Sequence, residues 1–123
     1  MSMQVAFDKQ EQLDKIVSGL LPTEEVYAVY DAIGAGTGFV AVTSLRVIMQ
    51  DNSFVGKKIA LTSVPYGRVT AVSYVSDKSM FGKFASTSSI AITAGSKVYE
   101  VDFRGDAKAR HIHDVVLRKT LGI

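Results

Sequence analysis

The chain has 123 residues, of which 47% are hydrophobic and 21% are charged, and its formal net charge is +2. This length suits one domain that buries about two-thirds of its unfolded surface, and the weak, dispersed charge does not indicate a nucleic-acid-binding protein. Because the chain has no cysteine, disulfides, thiol catalysis and thiolate metal sites are excluded.

The composition is that of an ordinary globular protein, without a low-complexity tract or an obvious internal repeat. No run of about twenty apolar residues is present, and the N-terminus lacks the basic-then-apolar order of a signal peptide. We therefore expect a cytoplasmic protein with a single domain over residues 1–123.

The first predicted element is a helix from Gln4 to Ser18. Ser2 is a possible N-cap and Gly19 is well placed just past the end. One face of the helix carries the apolar residues Ala6, Leu13, Ile16 and Val17. A helix that precedes a β-rich region needs a surface to pack on, so it either covers an open end of the sheet or belongs to an interface between subunits.

Seven strand-like segments follow, rich in β-branched and aromatic residues that suit a pleated, half-buried surface. Connections as short as these require mostly antiparallel neighbours. The segment 39–43 is apolar on both faces, which is typical of a strand covered on each side. Pro65 ends or bends the fourth strand because it lacks an amide hydrogen. The predicted strands are residues 24–33, 39–43, 46–51, 58–64, 69–75, 88–94 and 97–103.

The last predicted element is a helix from Ala107 to Leu121, with Asp106 as its N-cap. Its apolar stripe consists of Ala109, Ile112, Val115 and Val116, widened by Leu117 and Leu121. Seven antiparallel strands with one such helix predict a mainly β protein: a partly open barrel capped by the C-terminal helix, with an extra N-terminal helix. The helical extension covers residues 1–21, the barrel strands 22–104 and the capping helix 105–123.

Two segments carry a resemblance to a known family. Thr43-Ser44-Leu45-Arg46-Val47-Ile48 resembles the T-x-x-R-hydrophobic-hydrophobic strand of bacterial pleckstrin-homology-like (PH-like) domains. Val64-Pro65-Tyr66-Gly67-Arg68-Val69 is similar to their I-P-Y-x-x-I segment, at a suitable distance downstream. Gly56-Lys57-Lys58 and Leu21-Pro22-Thr23-Glu24-Glu25 also fit, so that the resemblance extends over residues 20–121.

This resemblance implies a PH-like barrel without enzymatic activity or an agreed set of ligand residues. Single-domain relatives form cyclic homo-oligomeric rings, so the resemblance also implies a ring. Eukaryotic domains of this fold usually bind phosphoinositides through basic residues on the loop between the first two strands. The corresponding Gly34-Ala35-Gly36-Thr37-Gly38 carries no Lys or Arg, which disfavours that route.

The segment 76–87 is the one place where large apolar side chains and lysines lie together in loop-like sequence. Such a loop inserts into an anionic membrane, or folds back on the barrel, or fills a subunit interface. The interaction candidates in this loop are Lys78, Met80, Phe81, Lys83 and Phe84.

Other motifs do not indicate chemistry. The glycine-rich segment 34–38 has the wrong spacing for a dinucleotide or P-loop site and is predicted to be a hairpin loop. His111 and His113 point to nearly opposite sides of a helix, so we interpret them as surface residues and not as metal ligands. Arg104-Gly105-Asp106 is explained as a strand end, a breaker and a cap. Arg46, placed mid-sheet, is predicted to pair with a carboxylate or with strand-end carbonyls.

The sequence therefore favours a non-enzymatic protein-interaction or scaffolding module that acts as a cyclic homo-oligomer with an unknown protein partner. The alternative is a peripheral membrane or lipid-binding domain that uses the loop Lys78–Phe84. No cofactor, metal or nucleic-acid partner is expected, and no nucleophile motif is recognisable.

Overall fold

A computed structural model of the chain describes residues 4–34, 37–52, 59–77 and 86–123. Within these ranges the chain forms eight strands, two α-helices and one 3-10 turn at Tyr66–Arg68. The α-helices and strands are, in chain order, β1 Ala6–Phe7, α1 Gln10–Ser18, β2 Val26–Asp31, β3 Thr37–Thr43, β4 Arg46–Asp51, β5 Ala60–Pro65, β6 Val69–Asp77, β7 Thr87–Ala94, β8 Lys97–Arg104 and α2 Lys108–Leu121.

The strands form two sheets, in the orders β1-β2-β3-β4-β5 and β6-β7-β8. All neighbours pair antiparallel except β1 and β2, which confirms the meander that the short connections predict. Just beyond β2, the Ile33 amide donates to the Asp102 carbonyl of β8 at 2.9 Å and so joins the two sheets at one corner. Among the described residues no pairing joins β5 to β6, and the barrel is open there.

The main core lies between the two sheets and under α2. Val40 and Val42 of β3 and Ile90 and Ile92 of β7 point into it, as alternation along a strand requires. The helix α2 closes the core with Ala109, Ile112 and Val116, all fully buried. This arrangement confirms the predicted capping helix.

A second, smaller core lies on the outer face of the five-stranded sheet, where α1 packs. Phe39 and Ala41 alternate with the inward-facing residues of β3 and meet Ile16 of α1. Val29 and Ile48, from the flanking strands, complete this core. The strand β3 is therefore covered on both sides, as its unbroken apolar sequence predicts.

The predicted N-terminal helix is wrong over its first six residues. The helix begins at Gln10, and Ala6–Phe7 instead form β1, parallel to β2, with Ala6 opposite Ala28. Lys9, just before the helix, has an extended backbone. Pairing with β2 gives the backbone of this segment hydrogen bonds, and Ala6 packs against the main core, so tertiary contacts override the local helical pattern. The described part of the chain consequently holds eight strands where seven are predicted.

Several boundaries and faces also differ from the prediction. The first predicted strand, 24–33, is shorter in the structure, where β2 covers Val26–Asp31. Its predicted last residue, Ile33, pairs with Asp102 of β8 and not with β3. The fourth predicted strand runs Ala60–Pro65, one residue past its predicted end. Residues expected on apolar helix faces are exposed instead: Val17, Leu117 and Leu121.

The predicted N-cap of the last helix is also corrected. Ala107 occupies the cap position and its side chain makes no capping bond. The buried Ser88 hydroxyl of β7 accepts a hydrogen bond from the Ala109 amide at 3.2 Å instead. A cap supplied by another element satisfies the same unpaired amide while it fixes the helix to the sheet.

Candidate functional site

The predicted interaction loop and its five candidates, Lys78, Met80, Phe81, Lys83 and Phe84, lie outside the described residues. Its two ends are described. The strand β6 ends at Asp77, β7 begins at Thr87, and these two residues form the last pair of the antiparallel register. The loop therefore leaves the tip of a continuous hairpin. Ser2 and the segment 53–58 also lie outside the described residues, as do Ala35 and Gly36 of the glycine-rich loop.

Two long strand edges are available at the open side of the barrel. Within the described ranges β5 pairs only with β4, and β6 pairs only with β7. The other two sheet edges are β1, which has two residues, and β8, which is joined to Ile33 at Asp102. An unpaired strand edge presents a row of amide and carbonyl groups on which another chain can build.

Exposed apolar side chains accompany both free edges. On β5 and the residue just before it, Leu61 and Ile59 are 53% and 54% exposed on the same face of the sheet that α1 covers further along. On β6, Val75 is 62% exposed, two residues before the hairpin loop begins. Apolar surface beside unpaired backbone is typical of a protein contact and not of a catalytic centre.

Arg46 has a structural partner. Its guanidinium bonds both carboxylate oxygens of Glu24, at 2.9 and 3.0 Å, and also reaches the Gly19 carbonyl at 3.1 Å. The Glu24 side chain is fully buried and lies before β2, whereas Arg46 begins β4. The predicted pairing of Arg46 with a carboxylate is confirmed, although Arg46 lies at the strand start and not in mid-sheet.

The environment of Glu24 keeps it ionised. The bidentate Arg46 guanidinium, opposed by burial and helped by the Leu21 amide and the Thr43 hydroxyl, lowers the pKa of Glu24 from 4.5 to about 2. The Thr43 hydroxyl donates to Glu24 at 2.6 Å and accepts the amides of Leu45 and Arg46. Thr43 and Arg46 of the T-x-x-R motif thus hold the β3–β4 turn against the segment before β2.

The tyrosine of the I-P-Y segment belongs to the same network. The Tyr66 hydroxyl donates to the Thr43 carbonyl at 2.6 Å, and its ring is buried in the main core. Burial raises the pKa of Tyr66, so its hydroxyl stays protonated as a hydrogen-bond donor. Sequence reasoning missed the roles of Glu24 and Tyr66, because neither residue lies in a pattern that predicts its partner.

The two histidines diverge as predicted, but neither is a simple surface residue. His111 Nδ1 lies 2.6 Å from the Tyr30 hydroxyl. His113 Nδ1 lies 3.0 Å from Asp114, and its ring packs on Tyr74 with centroids 4.9 Å apart. Both are half-buried because α2 lies flat on the strands. Among the described residues, no three His, Asp or Glu side chains approach closely enough to share a metal ion.

Comparison with known proteins agrees with this geometry. No family model matches the chain, and no curated protein is similar in sequence. A crystal structure of a pleckstrin homology domain from Shewanella amazonensis SB2B superimposes with a TM-score of 0.67 at 20% identity, over 94% of this chain and 100% of that one. The fold is PH-like.

A second PH-like structure supports the same conclusion. A PH domain containing bacterial protein from Exiguobacterium sibiricum 255-15 gives a TM-score of 0.61 at 17% identity over 96% of this chain. The match spans 63% of that protein. Neither α1 nor α2, the α-helices of the described ranges, has the length and apolar character needed to cross a membrane.

Proposed function

We propose that this PH-like domain is a non-enzymatic interaction module that assembles with copies of itself into a cyclic homo-oligomer. The observation that carries the proposal is the pair of long free edges, β5 and β6, at the open side of the barrel. In the assembly the β5 edge of one copy pairs with the β6 edge of the next. We place the assembly in the cytoplasm, where it presents a repeated surface to a further protein partner.

The use of two different edges decides the symmetry. When one surface of a subunit binds a different surface of the next, the contact is head-to-tail, and it closes into a ring if the rotation per subunit allows closure. Pairing of edge strands supplies main-chain hydrogen bonds, and neighbouring side chains supply specificity. Leu61 and Ile59 on one side of the contact and Val75 on the other would then be removed from water.

A scaffolding role also agrees with the way ionisable groups are used. The side chains with the most perturbed pKa values, Glu24 and Tyr66, are both engaged by neighbours inside the fold. Perturbed groups at catalytic sites are instead directed toward a cleft.

Size-exclusion chromatography with light scattering tests the assembly. We expect the full chain to elute at a multiple of its 13.3 kDa mass. Leu61→Lys is expected to dissociate the assembly, because the substitution would bury an unpaired charge at the contact between edges. The matched control is Val98→Lys on β8, since Val98 is as exposed as Leu61 but lies on an edge that the proposal does not use. A mass of 13.3 kDa for the unmodified chain across all concentrations would remove the ring.

Membrane contact through the loop Lys78–Phe84 is the second candidate function. It is favoured by Val75, an apolar side chain that is 62% exposed on the strand leading into this loop. The experiment is flotation with phosphatidylserine-containing liposomes at low salt, comparing the unmodified chain with Phe81→Asp and with Val98→Lys. Binding that only Phe81→Asp abolishes supports this function, and absence of binding by the unmodified chain eliminates it.

A further inference from the structure

A cavity of about 330 Å³ lies between the N-terminal segment and the outer side of α2. The volume falls at the lower end of the range of small-molecule sites. Its lining residues come from the N-terminal segment, β2, α2 and the residue Ile123, and none belongs to β5 or β6. The lining residues are Gln4, Ala6, Tyr27, His111, Val115, Arg118, Lys119 and Ile123.

The wall of this cavity contains both basic and apolar side chains. Arg118 and Lys119 supply two positive charges, and no acidic side chain is among the lining residues. Neither Arg118 nor Lys119 forms a salt bridge within the described part of the chain. Ala6 of β1 and Val115, one helical turn before these charges on α2, add apolar side chains to the lining.

Two contacts organise the polar groups. Lys119 Nζ lies 5.2 Å from the centroid of the Tyr27 ring, which holds the ammonium at the cavity wall without neutralising it. The Tyr30 hydroxyl and His111 Nδ1 lie 2.6 Å apart and share a hydrogen bond whose direction depends on the tautomer of His111. In the tautomer in which Tyr30 is the donor, the Nε2 of His111 carries the imidazole hydrogen and is a further donor.

Two acidic residues close to the lining residues along the chain are engaged elsewhere. Asp114, next to Val115, lies 3.0 Å from His113 Nδ1 and 4.0 Å from Arg110 Nε. Asp8, two residues after Ala6, accepts hydrogen bonds from Lys108 Nζ and from the Asp31 amide, both at 2.9 Å. Its charge is therefore balanced away from the lining residues. The positions of Arg118 and Lys119 in the last turn of α2 also complement the helix dipole, but that role does not require an apolar cavity beside them.

We propose that this cavity binds a small carboxylic acid with an apolar body, its carboxylate held by Arg118, Lys119 and His111. The apolar part of the ligand lies against Ala6, Val115 and the Tyr27 ring. A guanidinium and an ammonium give charge-assisted hydrogen bonds to a carboxylate, and the apolar wall adds a contact that an inorganic anion cannot make. The site is independent of the proposed ring.

The experiment is an NMR titration of the full chain with octanoate, octanamide and inorganic phosphate. Octanoate is expected to give saturable shifts of the Tyr27, Val115 and Lys119 amides. Octanamide and phosphate are each expected to bind at least about tenfold more weakly than octanoate, since octanamide lacks the charge and phosphate lacks the apolar body. Equal binding of octanoate and octanamide, or shifts that do not saturate, would overturn the proposal.

Variants separate recognition from folding. Arg118→Gln and Lys119→Gln are each expected to weaken octanoate binding about tenfold, and Val115→Trp to block it by filling the cavity. The matched control is Lys97→Gln: Lys97 also lies over a tyrosine ring, at 4.9 Å from the Tyr99 centroid, but outside this cavity. If Lys97→Gln weakens binding as much as Lys119→Gln does, the octanoate is attracted by general positive charge and the site is refuted.

Discussion

The molecule contains two apolar cores of different size on the two faces of one sheet. The main core, under α2, joins both sheets and includes fully buried side chains such as Phe103 and Ile112. The smaller core, under α1, joins one helix to one sheet around Ile16 and Phe39. The first core holds the barrel together, whereas the second attaches an additional layer to it.

A single chain of hydrogen bonds connects the two regions. Tyr66, from the main core, donates to the Thr43 carbonyl, and the Thr43 hydroxyl donates to Glu24. Glu24 is held by Arg46, which reaches the Gly19 carbonyl at the end of α1. Thr43, Arg46 and Tyr66 of the two motifs therefore position the outer helix relative to the barrel.

The largest expected effect is in the main core. Phe103→Ala is predicted to lower the free energy of unfolding by about 3–5 kcal/mol, because it leaves a cavity among fully buried neighbours. Urea denaturation measures the change. Phe7→Ala in β1 is the matched control, since Phe7 is largely exposed, and a loss for Phe7→Ala as large as that for Phe103→Ala would contradict the assignment of the main core.

The connection between the cores is predicted to depend on pH. The pKa of Glu24 is lowered in the folded protein to about 2 from 4.5, so its stabilisation is fully present above pH 4.5 and is lost as the pH falls toward 2. The contribution is roughly 3–4 kcal/mol at 1.4 kcal/mol per pKa unit. Denaturation between pH 2 and 6 should show this slope in the unmodified chain and in Glu25→Gln but not in Glu24→Gln. The same dependence of the unfolding free energy on pH in Glu24→Gln would contradict this account of the ion pair.

The smaller core is predicted to contribute less. Ile16→Ala should lower the free energy of unfolding by about 2 kcal/mol, at the low end for a buried isoleucine, because one helix can relax onto the sheet. Val17→Ala, at the next position, should cost less than about 0.5 kcal/mol since that side chain is exposed. Equal losses would show that the helix face is assigned wrongly.

The smallest predicted effect is the loss of one buried hydroxyl. Tyr66→Phe should cost about 1–2 kcal/mol, since it removes the hydrogen bond to the Thr43 carbonyl and keeps the ring in the main core. Tyr99→Phe is the control, because no hydrogen bond of the Tyr99 hydroxyl is found in the described ranges. Thermal unfolding of both variants checks the difference, and equal midpoints would refute the role of the Tyr66 hydroxyl.

Periodic elements of this fold were predictable from sequence, whereas partner-dependent ones were not. Alternation along 46–51 and 97–103 and the stripe of α2 identify core residues because one buried face imposes a period. The two residues of β1 carry no period, and their parallel pairing with β2 depends on a contact distant in sequence. The Ser88 cap of α2 was missed for the same reason, since it comes from another element.

The candidate site was predictable only in part. The pairing of Arg46 followed from a charged residue in an apolar strand, but nothing in Thr23-Glu24-Glu25 distinguishes the buried carboxylate from its exposed neighbour. The free edges depend on which strands fail to pair, a property of the whole topology. The basic cavity was not predicted, because Arg118 and Lys119 are also the basic residues expected in the last turn of a helix.

Amide hydrogen exchange, followed as a function of protein concentration, tests most directly whether the free edges meet. The outward-facing amides of β5 and β6 are predicted to exchange slowly at high concentration and rapidly on dilution, while those of β8 stay constant. Leu61→Lys should make the β5 and β6 amides fast at every concentration. If these amides exchange rapidly at every concentration of the unmodified chain, the proposed assembly is contradicted.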